Sequence, residues 1–304
     1  MKNSTSKTFD PQTLADDLCE VQRIYASFFS GLSQADWERP VKGAPKEWNL
    51  HETVAHLCAL NGDGLESIRC ALQREPYVFE GLTDRSQFNA YNRQGIDKHL
   101  LLPREDLCAE LLEILGEAAN ISRNLHPSQA EIASEMPIYN RPVKIIEGLS
   151  IIMFHVGLHH TAQVAEPAGV PPLWMQLSPE IRHRVIGRVM RALSLLYRRD
   201  LGQDLRAVIA FRVDGPGGGT WYVEVSPESC ASGEGLVDDP SLTIHLRETD
   251  VFCKMFTARL NLPLALLSGQ MKLRGNLLLF ARFGSLFKVD GKSETGLKPP
   301  YKKL

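Results

Sequence analysis

The sequence predicts a two-part chain, α followed by α+β: a helical bundle and then a small mixed domain. Three observations lead there. Apolar residues recur at three- and four-residue intervals through most of the first 200 positions, the period of helices buried on one face. Near residue 206 the period changes to two, in RAVIAFRVD and TWYVEVS, which read as strands. A proline-rich joint, AGVPPLWMQLSPE, separates the first helices from a last one that precedes the strands. A length of 304 residues suits about two domains.

The first helix carries Leu14, Leu18, Val21, Ile24, Tyr25, Phe28 and Phe29, and Asp10-Pro11 suits its cap and first turn. GAPKEWNL breaks the chain. A second helix runs from about Asn49 to Gln73, with Asn49 and Glu52 spaced as a capping box. A short helix is expected from Asp84 to about Ile96. Another opens at Pro103-Arg104 with Leu107, Leu111, Leu112, Ile114 and Leu115, and a last one runs from about Val143 to Glu166. Four long helices with loops between them suggest a bundle. Beyond the joint, a helix from Ser178 to Arg199 precedes the two strands, whose GPGGG connection (residues 215–219) lacks the ending of a phosphate loop and reads as a hairpin tip. LVDDPSLTIHLRE adds a turn and a strand, ETDVFCKMFTARL a short helix, and residues 261–287 an apolar helix, a glycine turn, a short strand and a final helix. The expected domains are 10–170, 171–295 and a loose basic tail at 296–304.

Composition narrows the function classes. The chain is 43% hydrophobic and 23% charged, with a formal charge of −2, so no global attraction to nucleic acid or an anionic membrane is expected. No apolar stretch approaches the length of a membrane span, and the start lacks an apolar signal core, so a cytoplasmic home is expected. Six scattered cysteines, none at CxxC spacing, read as single reduced thiols. No Ser-His-Asp or Cys-His set is apparent, and no catalytic residue is assigned.

FHVGLHHTAQVAE (residues 154–166) places three histidines within thirteen residues. In a regular α-helix positions four apart share a face, so His155 and His159 converge, and His160 is turned about 100° away into a packing or supporting role. His56, in NLHETVAHLCAL, is the best distant third donor, with Glu52 one turn before it as a supporting acceptor; His51 is expected to be exposed. Two readings stand at this point: a metal site, or buried neutral histidines bonded to backbone or water.

Two resemblances bear on the choice. EWNLHETVAHLCAL, DRSQFNAYNRQ and FHVGLHHTAQV resemble the signature stretches of the DinB-like bundle superfamily, which includes mycothiol-dependent maleylpyruvate isomerases. That resemblance implies a four-helix bundle with His56, His155 and His159 on a divalent metal; the HHTAQ wording leaves the third position open by one residue. It implies a low-molecular-weight thiol as cosubstrate for an isomerase or transferase acting on a small electrophile; three imidazoles and an open site suit zinc, and nickel or iron fits imidazole too. His155 stands where the isomerases carry a carboxylate. The stretches AVIAFRVDG, TWYVEVS, GLVDDPSLTIHLRETDVFCKMF, PLALLSGQMKLRGN and LLFARFGSLF resemble a sterol-carrier-protein-2 domain. This second resemblance implies a five-stranded sheet with helices and, in lipid-binding members, an apolar tunnel; Phe252, Met255, Phe256 and Phe283 would suit such a tunnel or an ordinary core. Arg206, Arg212, Arg247, Arg259, Arg274 and Arg282 are candidates to meet an anionic substrate. The partners expected are a small-molecule substrate or a lipid, with neither nucleic acid nor an integral membrane, and a homodimer as an option. The alternative function is a carrier of lipid or hydrophobic metabolites, with the bundle as scaffold.

Overall fold

A computed structural model describes residues 10–40, 48–82, 87–136 and 142–287. These form two compact units, the first ending at Leu177 and the second beginning at Ser178. The tail expected at 296–304 lies outside the described residues.

The first unit is helical. Helix α1 (Pro11–Ser30) starts at Asp10, whose carboxylate accepts from the Thr13 amide. A short α2 (Gln34–Glu38) follows, then α3 (Leu50–Gln73), α4 (Phe88–His99), α5 (Arg104–Arg123) and α6 (Pro127–Ala130). The Asn49/Glu52 capping box forms as the spacing predicts: Asn49 Oδ1 accepts from the Glu52 amide and Glu52 accepts from the Asn49 amide. A two-stranded ribbon, β1 (Ala133–Ser134) with β2 (Val143–Lys144), leads into α7 (Ile145–Phe154), a π turn at His155–His159, and α8 (Thr161–Ala165). The region expected as one continuous helix is therefore interrupted twice, by the strand residues at its start and by the π turn. The four long pieces α1, α3, α5 and α7–α8 make the bundle. Leu14, Leu18, Val21, Ile24 and Tyr25 are buried as α1 packs along α5, against Leu107, Leu111 and Leu115 among others. Each such aliphatic side chain contributes about 1.5–3 kcal/mol on burial.

The second unit begins with α9 (Pro179–Leu196), capped by the Ser178 hydroxyl. It continues with β3 (Ala207–Val213), β4 (Gly219–Val225), β5 (Cys230–Glu234), β6 (Leu242–Leu246), α10 (Thr249–Phe256), α11 (Leu262–Leu267), β7 (Met271–Gly275) and α12 (Leu277–Leu286). The sheet has five strands in the order β5-β4-β3-β6-β7, antiparallel except for the β3/β6 pair. Strand β5, CASGE, shows no apolar alternation and is not legible from period alone. The 215–219 segment is indeed the β3–β4 hairpin tip. Gly217 is needed there: its φ is +82°, and a Cβ would come within 2.5 Å of the Pro179 carbonyl oxygen. The core is built from the inward faces of the strands, including Ile209, Phe211, Trp221, Val223 and Ile244, covered by α9 and by Phe252 of α10.

Candidate metal centre

Three elements bring histidines together. Helix α3 supplies His56, and the π turn and the residue after it supply His155 and His160. The π turn decides which histidine joins. The His160 amide donates to the His155 carbonyl at 3.3 Å, an i→i+5 bond that widens the turn so that the fifth residue, rather than the fourth, falls over the first. Two carbonyls of the widened turn are capped by side chains: the buried Tyr25 hydroxyl donates to Val156 at 3.0 Å and the Thr161 hydroxyl to Leu158 at 2.9 Å. Gly157 keeps the turn thin where Met153 and Val21 press on it.

His56 Nε2 lies 3.1 Å from both His155 Nε2 and His160 Nε2, and the three atoms sit within 4.8 Å of one another. All three residues are buried. Each ring's other nitrogen faces an amide oxygen: His56 Nδ1 donates to Asn92 Oδ1 at 2.7 Å, His155 Nδ1 to Asn61 Oδ1 at 3.0 Å, and His160 Nδ1 to Gln163 Oε1. The Asn61 orientation is fixed from its other end, since its Nδ2 donates to the Leu57 carbonyl at 2.6 Å. With the proton held on Nδ1 in every ring, three Nε2 lone pairs converge on one point. Burial keeps the rings neutral. It pulls His56 down to about 4, and holds His155 and His160 well below the usual histidine range, with the neighbouring imidazoles adding to the effect. Converging lone pairs repel unless a cation lies between them. Tetrahedral zinc with Zn–N of 2.0–2.1 Å requires donors about 3.3 Å apart, close to the spacing here.

The structure thus brings His56 and His155 together as the sequence predicts, and sets His160 beside them where spacing placed His159. The His159 ring stacks beside His155, 6.1 Å between centroids, and its buried Nδ1 has no hydrogen-bond partner among the described residues. Glu52 does not support His56: it caps α3 and pairs with Arg93, and Asn92 of α4 takes that place. His51, expected to be exposed, is half-buried, edge-on to Trp37. Trp48 packs 5.1 Å from the His56 ring and closes that side. Cys58 is core, its thiol pushed up by burial. Among the arginines, Arg206 pairs with Glu228 and Arg282 with Asp204, both within the second unit. Asn61, Asn92 and Gln163 were missed at the sequence level. The signal was present for Gln163, an amide one turn after a histidine.

Residues 191–288 match the SCP-2 sterol transfer family. The chain is 28% identical over 112 residues to human (Homo sapiens) hydroxysteroid dehydrogenase-like protein 2, covering 37% of this chain and 27% of that protein, so the chain spans about a quarter of the length of the relative it matches. In fold, the chain resembles the mycothiol-dependent maleylpyruvate isomerase, with a TM-score of 0.51 and 11% identity, covering 84% of this chain and 90% of that one. A histidine-to-alanine mutant of that isomerase gives 0.53 at 11% identity, covering 88% and 93%. The fold is therefore that of the isomerase, a helical bundle followed by an α+β domain, the latter matching the SCP-2 family over residues 191–288. No helix among the described residues is long and apolar enough to cross a membrane.

Proposed function

We propose that this chain is a metal-dependent enzyme of the thiol-using isomerase or transferase class, acting on a small electrophilic substrate, with His56, His155 and His160 as the ligands of a divalent ion, zinc by preference. The observation that carries this reading is the convergence of three Nε2 lone pairs whose Nδ1 protons are all committed to amide oxygens. Three neutral ligands leave the ion its full charge, which lowers the pKa of a thiol or water bound beside it. The chain's own residues do the rest. Asn61, Asn92 and Gln163 fix ring tautomer and direction, and Trp48 shields His56 from solvent. The likeness in fold to an isomerase named for its dependence on mycothiol supports a thiol as cosubstrate. The bundle, ending at Leu177, would carry the metal chemistry and the unit beginning at Ser178 the hydrophobic binding, in a cytoplasmic setting.

Elemental analysis of the purified chain tests the reading, followed by a screen of low-molecular-weight thiols with electrophilic unsaturated acids. About one zinc per chain and thiol-dependent turnover are expected. A folded chain that takes up no divalent metal on titration refutes it. A second reading rests on the family match at residues 191–288: binding of a lipid or hydrophobic metabolite by the second unit. Organic extraction of the purified protein tests this independently of metal content.

A further inference from the structure

Every ligand ring at the metal centre has its Nδ1 on an amide oxygen. Two rings packed against the ligands are not satisfied in this way. Trp48 is 5% exposed, and its Nε1 is buried with no hydrogen-bond partner among the described residues. Nδ1 of the half-buried His159 is buried and without a partner in the same sense. Between them the two rings touch all three ligands. The Trp48 indole lies 5.1 Å from the His56 ring, tilted by 47°. The His159 imidazole meets His160 edge-on at 4.5 Å and stacks beside His155 at 6.1 Å. Buried polar nitrogens without partners are costly and rare in native proteins, and sites of catalysis or ligand binding are where they are retained.

Neither nitrogen is needed to orient a ligand ring, because Asn61, Asn92 and Gln163 already do so. What remains for them is a group held at the ion's open position. Their chemistry says which kind. An indole Nε1 only donates, and a neutral imidazole carries one N–H that tautomerism can set on Nδ1. Burial keeps the His159 ring neutral. Two N–H donors beside a divalent ion favour an anion whose outer atom accepts, such as a thiolate or a carboxylate. A neutral ligand that presents only an N–H gains nothing from them.

We propose that Trp48 Nε1 and His159 Nδ1 donate to an anionic ligand on the metal and select it over neutral donors. The proposal rests on the metal-dependent reading above. The test uses the full chain loaded with cobalt, whose visible spectrum reports groups bound to the ion, titrated with azide as the anion and imidazole as the neutral probe. Trp48→Phe and His159→Phe keep an aromatic ring and remove the N–H. Each is expected to weaken azide binding about tenfold or more, while cobalt uptake and imidazole binding stay at wild-type values. His159 is half-buried, so His159→Phe gives its answer even if Trp48→Phe is destabilised. Wild-type azide affinity in both folded variants overturns the proposal. An equal loss of azide and imidazole binding also overturns it, assigning the two rings to packing, as does a wild type that holds cobalt and gives no azide response. A wild type that takes up no cobalt fails one step earlier and refutes the metal reading together with the proposal.

Discussion

Replacing His160 with alanine, beside His159→Ala as its partner experiment, tests the geometry of the π turn directly. In a straight α-helix His159 would share a face with His155, and its loss would empty the site. The structure instead sets His160 Nε2 at 3.1 Å from His56 Nε2, and leaves His159 stacked outside the convergent set. Losing even a hydrogen-bond partner of a ligand weakens metal binding 10–100-fold, so losing a ligand weakens it by about 100-fold or more. With zinc at about 100 times the wild-type dissociation constant, bound metal stabilises the wild type by about 2.7 kcal/mol. At the same zinc concentration a 100-fold weaker variant gains only about 0.4 kcal/mol. For a domain of this size those figures correspond to upward shifts in melting temperature of about 5–11 °C and about 1 °C. Calorimetric melting of chelator-stripped protein, with and without zinc, reads both. The expected order is a large shift for the wild type and His159→Ala, and almost none for His160→Ala. The reverse order, with His159→Ala insensitive to zinc and His160→Ala responsive, refutes the π-turn reasoning.

Acid should destabilise the metal-free chain. His56 and His159 are pulled down to about 4 by burial, below an unfolded value of 6.5, so between those values the unfolded chain binds more protons and stability rises with pH; each group costs about 3 kcal/mol by pH 4, and urea titrations across pH 4–7.5 should show a loss that begins below 6.5 and none above it. Tyr25→Phe removes the hydroxyl that caps the Val156 carbonyl, and should cost about 1–2 kcal/mol in denaturant melts while weakening zinc uptake, because the turn that aims His160 loses its support. Gly217→Ala should destabilise the second unit by about 1–3 kcal/mol in the same assay, from positive φ and the approach to Pro179, with zinc binding unaffected. Deleting Leu158 returns the widened turn to α-helical spacing and puts the present His160 four positions after His155, so zinc stoichiometry should survive the deletion; an empty site would show that the π geometry itself is required.

What was legible in the sequence follows from how local its cause is. The Asn49/Glu52 box and the Asp10 cap are interactions over three residues, and both form as spacing predicts. The alternation of β3 and β4 records a sheet buried on one face, with Arg212 and Glu224 turned outward, and it is readable because successive side chains alternate sides. Strand β5 is not, because CASGE is held by pairing with β4 rather than by a buried face of its own. The two-residue strand at the start of the expected 143–166 helix is likewise set by its partner at Ala133–Ser134, nine and eleven residues away in sequence.

The third histidine shows the limit most clearly. Spacing rules assume one turn geometry, and under that assumption His159 is the correct choice. What supports the wider turn includes a partner far away in the chain, a tyrosine 131 residues upstream that caps a carbonyl, beside Gly157 within the turn, thin enough to let Val21 of α1 pass. Other distant elements supply the ligand supports, Asn61 from α3 and Asn92 from α4, so the convergence of lone pairs is a property of the assembled bundle. A π turn has poorer hydrogen-bond economy than the α-helix it interrupts. Here it coincides with the place where the extra residue sets His160 Nε2 at 3.1 Å from His56 Nε2. That coincidence is why the widened turn and the candidate metal centre are best understood as one feature: the strain is local, and its consequence is the position of His160 Nε2.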